Sequence, residues 1–298
     1  MLELTGYFDA SGTHDGSNNV TLAGWVSTPE AWARFETEWQ AELANLGVPM
    51  FHMREYAHHR GVFEKWSEPQ RRIRFGRLAK VITDHTVASI AVCVPAKEFD
   101  EEFTPAARGH AGGAYGFAAR VLFMQAPAFV EESLNPKGTE FTLSYVFESG
   151  DKGRGQVAKL YKANKMDPPQ VEKWHLGSLS FEDKRRFGAL QAADILAYEL
   201  YQHFPRQLGQ DPREPRRYNL RQLAANRSWD WRYLSRERMR ADWAMVIDMA
   251  ARIADVEPWP RKRLPDDWSF PTEATASKAT LNLAIRPAKK RKGSQRGH

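Results

Sequence analysis

Cysteine is nearly missing from this 298-residue chain: the one thiol, Cys93, lies in the apolar run Ile90-Ala91-Val92-Cys93-Val94. One thiol cannot close an internal disulfide, so a disulfide-stapled scaffold is excluded and a reducing compartment fits best. No stretch approaches the roughly 20 apolar residues of a membrane-spanning helix, and no membrane partner is expected. The chain enters Leu2-Glu3-Leu4 without a basic-then-apolar leader, so a cytoplasmic location is expected. Aromatic residues are absent after Phe270. A segment that poor in large apolar groups cannot bury enough surface to order itself, and residues 271–298 are expected to form a disordered tail.

Charge is also missing where the total suggests it. The net charge is +6, yet six Lys/Arg (Arg286, Lys289, Lys290, Arg291, Lys292, Arg296) fall in residues 286–298, where there is no acid. That leaves 37 basic against 37 acidic residues in positions 1–285. The body is neutral, which excludes a fold built as a whole to attract nucleic acid. The tail run Lys289-Lys290-Arg291-Lys292 reads equally as a salt-dependent phosphate contact and as a solubilising end.

What is present is an alternation of strand and helix patterns. Residues 2–9 and 20–27 read as strands joined by the turn-rich run Gly12–Asn19. Thr28-Pro29 opens a helix with Trp32, Phe35, Trp39 and Leu43 at helical spacing, and Gly47 stops it. Ser67-x-x-Gln70 is a capping box for a helix expected to turn Ile73, Leu78, Val81 and Ile82 inward. Further strands are expected at 89–94, 141–148 and 174–179, with helices at 112–134, 156–164 and 184–203. Strands interleaved with helices imply a mixed sheet covered on its faces, an α/β fold. Residues 205–217 are rich in Pro and Arg. Beyond them, helices at 220–225 and 235–254 suggest a helical extension over 205–270 that follows a domain of residues 1–204.

Three carboxylates stand out. Asp9 in Tyr7-Phe8-Asp9-Ala10-Ser11-Gly12 and Glu148 in Phe147-Glu148-Ser149-Gly150 each end an alternating strand pattern before a turn. Asp194 sits in Leu190-Gln191-Ala192-Ala193-Asp194, an apolar helix with little use for an unpaired acid. Carboxylates at strand ends and on a packing helix are what divalent-metal phosphoryl transfer requires. Read singly, Asp9 also suits an Asx turn, Glu148 suits strand-end punctuation, and Asp194 suits a salt bridge to Arg185 or Arg186. Ser11 has no matched base, so it reads as a turn residue. Gly109-His110-Ala111-Gly112-Gly113 lacks the lysine and hydroxyl of a P-loop. His58 and His59 lack zinc-ligand spacing. Trp229-Asp230-Trp231-Arg232-Tyr233 mixes aromatics with a cation, as base-stacking surfaces do, although packing of a terminal helix explains it more simply.

The opening Tyr-Phe-Asp-Ala-Ser-Gly, the following Leu-Ala-Gly-Trp-Val strand and Leu-Gln-Ala-Ala-Asp-Ile-Leu-Ala-Tyr together resemble the bacterial family called domain of unknown function 3800. That family is similar to a divergent branch of the ribonuclease H-like superfamily. The resemblance spans residues 4–204, and Ala10 stands where the family usually has glutamate. It implies a ribonuclease H-like mixed sheet flanked by helices, with Asp9, Glu148 and Asp194 as ligands of Mg²⁺ or Mn²⁺. It further implies hydrolysis of nucleic-acid phosphodiesters, with bacterial defence as the family association. For a fourth acid the candidates are Glu55, beside His52 after a short strand-like segment, and its rival Asp151. His52 is a candidate for proton transfer. A crowded ligand carboxylate destabilises a metal-free fold, so Asp194→Asn is expected to preserve or raise stability, whereas a structural salt bridge implies the reverse. The alternative function is a non-catalytic scaffold of the same fold that binds nucleic acid or a protein partner.

Overall fold

The turn-rich run after Asp9 reverses the chain into a hairpin. Gly12 has a φ of +80°, and a Cβ there would lie 2.1 Å from the Asn19 carbonyl oxygen, so this position needs glycine. The two arms are β1 (Leu2–Ser11) and β2 (Asn19–Ser27), paired antiparallel with Asp9 opposite Ala23. The computed structural model describes residues 2–134, 138–208, 217–225 and 228–244. After the hairpin come α1 (Pro29–Leu46), α2 (Met53–Ala57), α3 (Glu68–His85), β3 (Ala88–Pro95), α4 (Ala96–Glu102), α5 (Pro105–Ala111) and α6 (Gly113–Ser133). The second half contributes β4 (Phe141–Glu148), α7 (Arg154–Lys165), α8 (Pro168–Lys173), β5 (Leu176–Glu182), α9 (Gly188–Leu208), α10 (Tyr218–Leu223) and β6 (Ser228–Tyr233).

The strands form one mixed sheet in the order β5-β4-β1-β2-β3-β6. β1, β2 and β3 are antiparallel neighbours, while β4 runs parallel to β1, β5 to β4 and β6 to β3. Parallel neighbours need crossovers, which the intervening helices supply and which leave both sheet faces covered. Leu4, Phe8, Leu143, Tyr145 and Phe147 pack on one face with Phe117, Leu122 and Phe123 of α6. Ala23, Trp25, Ala91 and Cys93 pack on the other with Phe35 and Trp39 of α1, Phe75 and Leu78 of α3, and Ile195 and Leu196 of α9. Each of these large side chains, removed from water, stabilises the fold by roughly 1.5–3 kcal/mol.

Strand parity then decides where the acids go. Phe8 and Phe147 point to the α6 face, so Asp9 and Glu148, one residue on, point to the α9 face. Phe8 pairs with Phe147 across parallel strands, and the two carboxylates follow that pair at the same sheet edge.

Two expectations are corrected. Ile73 is 67% exposed, and the inward stripe of α3 is Arg71, Phe75, Leu78, Ala79 and Ile82. Residues 228–233 are not helical: they form β6, whose pairing with β3 makes this part of the supposed helical extension an edge of the main sheet. A helical stretch does cover 236–244. The tail expected at 271–298 lies outside the described residues. Among the described residues no helix is long and apolar enough to cross a membrane.

Candidate functional site

Each acid is positioned by a different element. Asp9, 1% exposed, stands near the end of β1, with the Ala10 backbone N–H donating to its Oδ1 at 2.7 Å. Glu148, the last residue of β4, accepts from the Gly150 N–H through Oε1 (3.2 Å) and from the Lys184 N–H through Oε2 (2.8 Å). Asp194 lies on α9 and accepts from the Met53 N–H through Oδ2 at 2.7 Å.

One residue joins all three. Lys184 Nζ stands 2.8 Å from Asp9 Oδ2 and 3.3 Å from Asp194 Oδ1, while its backbone N–H holds Glu148. Its carbonyl accepts from Gln191 Nε2 at 2.9 Å. The Oε1 of that buried amide in turn accepts from Trp39 Nε1 (3.1 Å) and the Phe51 N–H (3.0 Å). Gln191 therefore fastens the Lys184 turn, α1 and the segment leading into α2 to one point on α9. Sequence reasoning missed both residues. Lys184 sits in the charged run Glu182-Asp183-Lys184-Arg185-Arg186, which reads as solvated surface, and the salt bridge expected from Arg185 or Arg186 to Asp194 comes from Lys184 instead. The only signal was Gln191, three residues before an acid in the motif.

The further candidates separate. His52 caps α2, and its Nδ1 lies 3.3 Å from Asp194 Oδ2, so a protonated imidazole donates to that carboxylate. When unprotonated, the same nitrogen accepts from the Arg54 N–H at 3.4 Å. Glu55 is exposed and borders a separate pocket of about 350 Å³, because the segment expected to be a strand is the helical turn α2 and directs it outward. Asp151 also lines the main cleft, held by a hydrogen bond from the Tyr115 hydroxyl to its Oδ2 at 3.0 Å.

Asp9, Glu148, Asp151 and Asp194 all line one open cleft of about 1150 Å³. Burial pushes Asp9 well above the ordinary carboxylate range, with Lys184 opposing and the charges of Asp194 and Asp151 adding. Burial also pushes Asp151 up to about 6, against the Tyr115 hydrogen bond and Lys184. Burial acts on Asp194 in the same direction, but the His52 contact, the Lys184 charge and the Met53 N–H outweigh it and bring the group down to about 2. Desolvation acts to lower Lys184, and Asp194 and Asp9 more than reverse this, so the ammonium is raised. The contacts of Asp194 thus favour its ionised form, the behaviour of a carboxylate held in an ion pair.

Whether these residues suit a divalent cation turns on donor chemistry. Carboxylate oxygens are the ligands Mg²⁺ and Mn²⁺ prefer. The Asp9 and Asp194 oxygens converge on one cation position, and Glu148 and Asp151 line the same cleft. The donor set therefore fits. Among the described residues, however, no three His, Cys, Asp or Glu side chains stand in an arrangement ready to hold an ion. Lys184 Nζ takes the point at which the Asp9 and Asp194 oxygens meet.

No protein-family model matches this chain, and no curated protein matches it.

Proposed function

We propose that this protein is a metal-dependent nuclease of ribonuclease H-like fold. The observation that carries the reading is the meeting of Asp9 Oδ2, from a central strand, and Asp194 Oδ1, from a late helix, on a single cation position. Glu148 at the end of the neighbouring strand borders the same cleft. A first central strand, an adjacent strand end and a late helix are the acid carriers that the resemblance implies.

Asp9, Asp194 and Glu148 would hold Mg²⁺ or Mn²⁺, with Asp151 beside them. Such an ion supplies positive charge where negative charge develops on a phosphoryl group, and it acidifies water. The chain's own residues do the rest. Asp151, with its affinity for protons raised, is suited to take a proton from an attacking water near neutral pH. His52 is placed to hold a proton at Nδ1 against Asp194. Arg54 and Arg72, both exposed, line the same cleft and offer guanidinium groups to flanking phosphates. Arg72 also lies over the Tyr218 ring, 5.5 Å from its centroid, which adds a flat cationic surface. An open cleft of about 1150 Å³ with charged walls suits a polyanionic chain better than a small apolar ligand.

One observation favours a second reading. Both Glu148 oxygens accept backbone N–H bonds and Lys184 occupies the cation point, an arrangement that also suits a non-catalytic nucleic-acid-binding scaffold. Incubating the protein with single- and double-stranded DNA and RNA under Mg²⁺, Mn²⁺ or chelator decides between them. The expected result is metal-dependent cleavage of at least one substrate, lost in Asp9→Asn by roughly a thousandfold, since charge stabilisation at such centres contributes several kcal/mol. Binding without cleavage on all four substrates would establish the scaffold.

A further inference from the structure

Lys184 holds its position through backbone as well as side chain. Its N–H is bound to Glu148 and its carbonyl to Gln191, so the main chain is fixed from both sides. Its side chain, 19% exposed, reaches from that anchor into the cleft and ends at the one point where two carboxylate oxygens from distant elements converge. An ammonium is a compact charge on a flexible four-carbon stem. It is shared by two carboxylates and can leave through the open side of the cleft while the main chain stays tied.

We propose that Lys184 is a resident counter-cation that competes with the divalent metal for the Asp9–Asp194 position. In the metal-free protein the ammonium keeps the crowded carboxylates from driving the site apart. When a divalent ion arrives, the side chain swings into the cleft mouth and the backbone anchors remain. The competition weakens metal binding and in return keeps the empty site folded. This inference rests on the nuclease reading for the identity of the competing ion.

Lys184→Gln removes the charge and keeps a polar side chain of similar length. Mn²⁺ affinity, followed by calorimetry and by the electron paramagnetic resonance signal of free Mn²⁺, is expected to rise by roughly tenfold or more, because a like charge a few ångströms from the ion is gone. The melting temperature without metal is expected to fall below that of the parent, and saturating Mn²⁺ to restore it. Lys184→Arg, which keeps the charge in a bulkier head, is expected to bind Mn²⁺ no better than the parent. If Lys184→Gln folds only with metal, chelator should unfold it while leaving the parent intact, and this too supports competition.

The outcomes separate the two readings. Equal Mn²⁺ affinity in the parent and Lys184→Gln overturns the competition and leaves the nuclease reading standing. Metal binding gained by Lys184→Gln but absent from the parent supports the competition and overturns the metal-dependent reading of the natural chain. No Mn²⁺ binding by either protein at millimolar concentration overturns both.

Discussion

Two acids on α9, Asp194 and Glu199, are both buried and are neutralised in opposite ways. Glu199, 0% exposed, receives Arg217 through Nε (2.7 Å) and Nη2 (3.4 Å) together with the Asn219 amide (2.9 Å). One carboxylate there has a guanidinium largely to itself. Asp194, 9% exposed, shares one ammonium with Asp9, and Glu148 and Asp151 lie in the same cleft. The first cluster matches its charges and fastens α10 to α9. In the second, two buried carboxylates divide one ammonium between them, and Asp194 is held in addition by the Met53 N–H and His52. One-to-one pairing fastens two helices, and a shared ammonium joins a strand to a helix at the cleft.

Replacing Glu199 with Leu should have the largest effect on stability. It strands Arg217 and Asn219, and unfolding should become easier by about 3 kcal/mol or more. Thermal denaturation reads the loss directly, and the stabilising response to Mn²⁺ should survive. Loss of that response along with Glu199 would break the distinction between the two clusters.

Asp151→Asn should act in the opposite direction. The Asp151 carboxyl titrates near 6 in the fold against an ordinary 3.8, so the folded state holds its proton more tightly than the unfolded state does. Its ionisation therefore costs stability as pH rises from about 4 to about 6, and the cost persists above that. Asn removes it, with a gain of up to roughly 3 kcal/mol at pH 7 and a flatter stability profile between pH 4 and 6. An Asn variant less stable than the parent at pH 7 would show that the Tyr115 bond outweighs burial.

Asp194→Asn should be the smallest of the three. The native carboxyl titrates near 2, so its contribution is present above about pH 4 and disappears as pH falls toward 2. The variant should lose about 2 kcal/mol at pH 7 and nothing below pH 2. Urea titrations at pH 7 and at low pH test this; a variant as stable as the parent at pH 7 would mean that the His52, Lys184 and Met53 contacts together only offset burial.

The strand-end acids and the helix acid were legible in the sequence because strand parity and an apolar helix leave few places for a carboxylate. The β1–β2 hairpin and the alternation of strand and helix were legible from the turn-rich run Gly12–Asn19 and from hydrophobic period. Lys184 was not, because a lysine between Asp183 and Arg185 carries no sign that its side chain turns inward; only the packing of α9 against β1 makes that turn. The choice of Glu55 over Asp151 failed on a local matter: Phe51-His52-Met53 enters a helical turn, so the period-2 logic of a strand does not apply to Glu55. For β6, the alternation of Trp229, Trp231 and Tyr233 was a strand signal, outweighed by the helical patterns on either side. Ile73 misled because a stripe one residue out of phase looks equally apolar at the start of α3, where buried Arg71 takes the inward place.

The link between Lys184 and Asp9 spans 175 residues of chain, and this sets an order of events during synthesis. β1 leaves the ribosome first, but neither Lys184 nor α9 exists until most of the chain has been made. At the usual elongation rate of about 5–20 residues per second, roughly ten seconds or more pass in which α1 and α3 are made but the α9 part of the Asp9 face is uncovered. Contacts this distant in sequence form late and slowly. The nascent chain therefore lacks the Lys184 contact at Asp9 and is open along part of one sheet face, and the same docking step ends both conditions.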